Sequence, residues 1–306
     1  VFTLPTSVTT ALVRRSARAI SGPRWSGGTA TTTSCGRSAA VLGRPSYPAC
    51  MSVPLMELSG QRSRVLDRVK AVMLEVVDSG RFILGPHVAA FEREAAAYAG
   101  AAHGVGVANG TDALVLALRA LDVAAGDEVI CPSYTFYATA EAVAAIGAVP
   151  VFADIEADTF QIDPAAVEAA ITPRTRAIIA VHLFGHPAPL GALRAIADSH
   201  GLALIEDAAQ AFGARLGGER CGGLSDASTI SFFPTKNLGG FGDGGLVLTQ
   251  REDVAERVRT LRFHGSKDKV TFTEVGANSR LDELQAAVLR VLLPELDGWK
   301  AARRAA

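Results

Sequence analysis

Lysine is scarce in this chain. It supplies only five of the 30 basic side chains, at positions 70, 236, 267, 269 and 300, and arginine supplies the rest. Acidic side chains number 31, so the net charge is −1, which gives no electrostatic footprint for nucleic acid or an anionic membrane. Cysteine is sparse as well. Cys35, Cys50, Cys131 and Cys221 form no C-x-x-C pair and no metal-ligand spacing. No metal is expected, and a reduced, cytoplasmic setting fits these thiols best. No apolar run is long enough to span a bilayer. What remains is 306 residues, 49% hydrophobic and 20% charged, enough for one large domain or two ordinary ones.

Residues 1–50 lack acid altogether. They hold six arginines and no Lys, Asp or Glu, so the remaining residues carry −7 of the chain's −1. The segment is rich in Ser, Thr and Gly and shows no sustained periodicity. An acid-free, Arg- and Ser-rich stretch fits a transit peptide. The favoured expectation is translated upstream sequence, dispensable for folding, because Met51 opens a plausible start.

Against this scarcity, Lys236 stands out. It sits in Ser228-Thr-Ile-Ser-Phe-Phe-Pro-Thr-Lys-Asn-Leu-Gly-Gly-Phe-Gly-Asp-Gly-Gly-Leu-Val-Leu-Thr249, with no acidic residue within five positions on either side. Two apolar runs flank a proline and a glycine-rich stretch, which reads as two strands joined by a turn presenting the lysine. Arginine would serve as a solvated surface charge. A side chain that must lose its proton and attack a carbonyl has to be lysine. An ordinary surface-turn lysine is the competing reading, at even weight. A phosphate-binding P-loop is excluded, because there the lysine follows the glycines.

Upstream, helical stripes cover 64–78 and 88–98, and an alternating rhythm then begins. Strands are expected at 105–108, 128–131, 149–153, 177–181 and 202–205. Helices are expected at 112–121, 137–146, 164–171 (capped by Asp163) and 190–199. The strands are short and Val/Ile-rich, as in a sheet buried on both faces. Strands alternating with helices imply a mainly parallel α/β sheet, with ligands at its carboxyl edge. Beyond Thr249, helices are expected at 254–263 and 281–293.

The polar residues after the strand ends are Asn109-Gly-Thr-Asp112, Ser133-Tyr-Thr-Phe136, His182, Glu206-Asp207-Ala-Ala-Gln210 and Lys236. In a single sheet they converge. A lysine, a strand-end carboxylate and a Gly-Thr at a helix start are the parts for pyridoxal 5'-phosphate (PLP). Lys236 would form the Schiff base and shuttle the proton. Asp207 would keep the pyridine nitrogen protonated, and is otherwise a helix N-cap. Gln210 would reach the phenolic oxygen, and is otherwise a surface residue. Backbone N–H groups at Gly110 and Thr111 would take the phosphate, with hydroxyls from Thr111 and Ser231. Thr111 is otherwise a cap. Phe136 would stack on the ring, and a core aromatic is at least as good a reading. A Rossmann reading of Gly104-Val-Gly-Val-Ala-Asn-Gly110 places the third glycine one residue late and leaves Lys236 without a role.

Taken together, the motifs resemble the DegT/DnrJ/StrS family of PLP-dependent sugar aminotransferases. The matching stretches are Phe82-Ile-Leu-Gly-Pro86, Ala108-Asn-Gly-Thr-Asp-Ala-Leu114, Gly126-Asp-Glu-Val-Ile-Cys-Pro-Ser-Tyr-Thr-Phe136, Val181-His-Leu-Phe-Gly185, Ile205-Glu-Asp-Ala-Ala-Gln210, Ser231-Phe-Phe-Pro-Thr-Lys-Asn-Leu-Gly239 and Asn278-Ser-Arg-Leu-Asp-Glu-Leu-Gln-Ala-Ala287. The resemblance implies a fold-type-I transferase and a cytoplasmic homodimer with sites at its interface. It implies amino transfer, from L-glutamate, to a keto sugar on a nucleotide diphosphate, with position three slightly favoured. It implies Lys236 and Asp207 as catalytic, and Gly110, Thr111, Phe136, Gln210 and Ser231 as cofactor-binding. Asn278 would reach the phosphate from the other subunit. Arg280 would meet the donor's carboxylate or nucleotide phosphates, or else pair with Asp282 or Glu283. Lys236 argues against the branch with histidine there, which removes hydroxyls. Amination of a non-sugar ring such as an inosose, or an idle regulatory protein, are the alternatives. The expected organisation is an extension at 1–50, a PLP-binding large domain at 51–260, and at 261–306 a linker and the start of a truncated smaller domain.

Overall fold

The computed structural model describes residues 58–305. The arginine-rich stretch 1–50, with its expected dispensability, lies outside the described residues.

The described chain opens with a short turn of helix, α1 (Ser59–Arg62), then α2 (Leu66–Ser79) and α3 (Pro86–Ala99). The alternating part follows: β1 (His103–Val107), α4 (Gly110–Ala120), β2 (Glu128–Pro132), α5 (Ala138–Ala145), β3 (Val149–Ala153), α6 (Pro164–Ala170), β4 (Thr175–Val181), α7 (Leu190–His200) and β5 (Ala203–Asp207). A two-residue hairpin comes next, β6 (Arg215–Leu216) and β7 (Glu219–Arg220), then β8 (Ala227–Ser231) and β9 (Gly245–Thr249). Helices α8 (Glu252–Leu261), α9 (Glu283–Leu292) and α10 (Leu296–Ala305) complete it.

Seven strands form one sheet in the order β1-β9-β8-β5-β4-β2-β3. Pairings β2–β3, β2–β4, β4–β5 and β5–β8 are parallel, and β9 runs antiparallel to both β8 and β1. The carboxyl ends of β1, β2, β4, β5 and β8 therefore lie along one edge. This is the mainly parallel sheet expected from the alternation.

The period-two pleat explains why the strands are apolar on both faces. In β2, Val129 and Cys131 pack with Leu114, Leu118 and Val143 of α4 and α5. Ile130 packs on the other side with Ile178, Leu193 and Leu204. In β9, Val247 joins the α4 and α8 side, whereas Leu246 and Leu248 join a core with Phe91, Phe232 and Leu289. Helices α2, α3 and α9 share that last core. Buried Glu283 locks α9 to α3, because its carboxylate accepts the free N–H groups of Gly85, His87 and Val88 at the start of α3. No helix among the described residues is long and apolar enough to cross a membrane.

Candidate active site

A cavity of about 650 Å³ opens at the carboxyl edge of the sheet. Its lining includes Gly110, Thr111, Phe136, Asp207, Gln210, Ser231 and Lys236. Seven of the eight expected site residues thus come together, and Asn278 does not join them. Asn278 is exposed and bridges Phe263. Its neighbour Ser279 is buried and accepts the Ala108 N–H, tying that segment to the end of β1.

Gly110 and Thr111 open α4 directly after β1. Asn109 is the cap: its Oδ1 accepts the Asp112 N–H at 2.8 Å, so Thr111 is not the capping residue. Among the described residues the Gly110 and Thr111 N–H groups find no protein acceptor, and both residues line the cavity with the helix dipole behind them. A Cβ on Gly110 would sit 2.7 Å from the Ser231 Cβ. Only glycine lets the helix start and the end of β8 approach so closely, and this approach sets the Ser231 hydroxyl beside the helix start.

Asp207 is the last residue of β5 and is buried. A turn rather than a helix follows it, so the helix-cap reading fails. Its Oδ1 accepts the Ala209 N–H at 3.2 Å, and its Oδ2 accepts the Thr139 hydroxyl at 3.2 Å. Burial raises the Asp207 pKa, and these donors and the Lys236 charge oppose the rise. Lys236 is half-buried in the loop between β8 and β9. Among the described residues its ammonium has no hydrogen bond or ion pair. Burial lowers its pKa, with the Asp207 charge opposing. Gln210 uses its Oε1 to accept the Phe184 N–H at 2.7 Å, in a turn where Phe184 holds a left-handed φ of 57°. Phe136 is 69% exposed at the cavity rim, so it is not a core aromatic.

Four strand-end residues expected at the site do not line the cavity: Ser133 and Tyr134 are exposed outside its lining, and His182 and Glu206 are buried elsewhere. Strand β5 runs two residues further than its apolar pattern suggests, and the pleat sends Glu206 to the opposite face from Asp207. His182 and Glu206 meet in the interior, Nε2 to Oε2 at 2.9 Å. His182 Nδ1 accepts the Ala188 N–H, which places the ring proton on Nε2. The Glu206 carboxylate also takes N–H groups from Gly222 and Leu224 and hydroxyls from Ser225 and Ser228. Burial works to raise the Glu206 pKa, but His182 and the other donors hold it down at about 2. Buried Cys221 lies near both side chains, yet every His182 and Glu206 lone pair or proton that a metal would need is already committed.

Sequence reasoning missed Thr139, Phe233, Thr235, Glu141 and Asp243. Thr139 touches Asp207, and the other four line the cavity. Phe233 and Thr235 flank Lys236 closely enough to have been included. Arg280 forms no ion pair among the described residues; it lies 5.9 Å from the Phe263 ring centroid. Its alternative partner Glu283 is occupied at α3.

The architecture is that of the fold-type-I transferases that use PLP. The chain belongs to the DegT/DnrJ/EryC1/StrS aminotransferase family, whose model matches residues 65–306. A pleiotropic regulatory protein of Geobacillus stearothermophilus is 52% identical over 254 residues, 83% of this chain and 68% of the relative. The dTDP-3-amino-3,4,6-trideoxy-alpha-D-glucose transaminase of Streptomyces venezuelae is 51% identical over 253 residues, 83% of this chain and 67% of the relative. The crystal structure of S. venezuelae DesV in complex with a ketimine intermediate matches with a TM-score of 0.81 at 51% identity, covering 83% of this chain and 68% of that one.

Proposed function

We propose that this chain holds PLP in the cavity at the sheet edge and transfers an amino group from L-glutamate to a keto sugar carried on a nucleotide diphosphate, at carbon 3. The observation that carries the reading is the placement of an unpaired, half-buried Lys236 and a buried Asp207 in one cavity with an unsatisfied helix start. The residues present fit the cofactor. The helix start at Gly110 and Thr111, with Ser231 beside it, suits a phosphate dianion, and Asp207 suits a ring nitrogen that must keep its proton. Bound there, the cofactor supplies an electron sink for the carbon that loses or gains the amino group.

The chain's own residues do the rest. Lys236 Nζ would hold the cofactor and would move a proton at the reacting carbon. Its lowered pKa favours the neutral amine that both tasks need. Asp207 holds the ring-nitrogen proton, and its negative charge is kept by Thr139 and the Ala209 N–H against the pull of burial. Phe136 at the rim would cover one ring face, and the Gln210 amide would meet the phenolic oxygen.

A homodimer completes the site in this reading, with Asn278 entering from the partner. Support comes from exposed aromatics, with Phe136 and Phe233 lining the cavity and Tyr134, Phe160 and Phe184 in ring contact with one another next to Gln210, apolar surface of the kind a second subunit covers. The large domain at 51–260 belongs to the same proposal, since the cavity's lining residues all fall between 109 and 243. Residues 261–306 as the lead into a smaller domain rest on resemblance.

The test is a half-reaction. L-glutamate should bleach the yellow cofactor-loaded protein, and a 3-keto nucleotide sugar should restore the colour. Restoration by an inosose alone would transfer the activity to a non-sugar ring. A loaded protein that answers no amino donor would be a regulatory member that keeps the fold without the reaction.

A further inference from the structure

The loop that presents Lys236 runs from Phe232 to Gly244 and is closed at its base by Phe232 N–H to Gly244 O and Gly240 N–H to Phe232 O, both 2.8 Å. Within it the Lys236 N–H donates to Phe233 O at 2.9 Å, and the Phe241 N–H donates to Gln285 Oε1 at 2.9 Å. A Cβ on Gly239 would collide with the Pro234 carbonyl, so the chain folds back on itself there. That fold brings the Pro234, Gly239 and Gly240 oxygens together, and among the described residues none of them has a backbone donor. One side chain serves all three. Arg62, more than 170 residues earlier, donates from Nη2 to Pro234 O at 3.0 Å, Gly239 O at 3.3 Å and Gly240 O at 3.1 Å. Its guanidinium carbon also lies 4.6 Å from the centroid of the Phe241 ring, on the same loop.

We propose that Arg62 is a positioning residue for Lys236: its guanidinium gathers the carbonyls of the lysine-bearing loop and so fixes where the amine is presented. The clamp depends on guanidinium chemistry. A planar, permanently charged and weakly hydrated group suits clustered carbonyls under an aromatic face, whereas an ammonium is compact and strongly hydrated. Arg62 lies just before the stretch that the family model matches, so family membership does not assign it a role. The catalytic side of the inference rests on the proposed function of Lys236. The loop-clamp side does not, and the test reads the two separately.

Hydrogen exchange of segment 232–244 is measured in the cofactor-free protein for wild type, Arg62→Ala, Arg62→Lys and the control Arg68→Ala, which removes an exposed pair with Glu295. The expected result is exchange at the Lys236 and Gly240 amides about tenfold faster in both Arg62 variants, with β5 and the control unchanged. PLP affinity should fall by about the same factor. Millimolar guanidinium, compared with sodium at equal ionic strength, should restore both values in Arg62→Ala and fail in Arg62→Lys, where the ammonium fills the space. Unchanged exchange in Arg62→Ala, or equal rescue by sodium, overturns the inference. If Arg62→Ala does not fold, Arg62→Lys decides by the same exchange criterion. If wild type takes up no PLP, the proposed function fails, and exchange alone decides on Arg62.

Discussion

At the scale of the residue, Asp207 and Lys236 hold each other's charge. Burial raises one and lowers the other, and each charge pulls its partner back. Asp207→Asn removes the pull on Lys236, so the lysine pKa should drop further. In the cofactor-free protein, the pH profile for labelling Lys236 with a neutral amine reagent should move to lower pH; an unmoved profile would separate the two groups. Amino transfer in Asp207→Ala should fall roughly 100-fold or more with some cofactor binding kept. Thr139 supports the Asp207 charge. Its hydroxyl donates to Asp207, and Thr135 Oγ1 lies 3.1 Å behind it, a short hydroxyl relay beside the carboxylate. A hydrogen bond to a charged group contributes about 1.5–3 kcal/mol. Thr139→Val removes a bond that lowers the Asp207 pKa, so the acidic limb of the kcat profile should shift to higher pH, and Thr139→Ser should restore it. Lys236, Asp207 and the Gly-Thr pair were legible because their residue types are chemically constrained. Thr139 was not, because a hydroxyl 68 positions from its partner leaves no local pattern.

At the scale of the element, β5 carries two adjacent acids with opposite fates. Asp207 points to the cavity, and Glu206 anchors the 222–228 segment from the interior. Glu206 is held near 2 in the fold, below its ordinary 4.5. Its stabilising contribution is therefore complete above the ordinary value and is lost as pH falls from there through about 2. Glu206→Gln should cost about 3 kcal/mol at neutral pH, with the gap to wild type narrowing in acid. Urea unfolding at pH 7 and below pH 4 measures this; an equal gap at both would show that the carboxylate's charge is not what holds the loop. The strands and helices were readable because burial on both faces writes continuous apolar runs. The end of β5 was not, since its last two residues are acids that no apolar pattern reaches. The β6–β7 hairpin also escaped, although its Gly217-Gly218 turn, with both φ values positive, was a usable signal.

At the scale of the whole molecule, the sheet edge gathers one cavity from five strand ends, and the second subunit supplies its last wall in the proposed dimer. Mixing Lys236→Ala with Asn278→Ala subunits tests this. Asn278 acting across the interface gives each heterodimer one intact site, so a statistical mixture should regain about a quarter of wild-type activity. No recovery would place Asn278 in its own subunit's site or outside both. The site as a whole stands or falls on one covalent contact, and the scarcity of lysine makes it unusually clean to locate. The PLP-loaded protein is reduced with borohydride, digested, and the tag mapped among the five lysines. The expected result is one tag per chain, on Lys236, and none in Lys236→Ala. A tag on Lys70, Lys267, Lys269 or Lys300, or a reducible adduct that survives in Lys236→Ala, would contradict it.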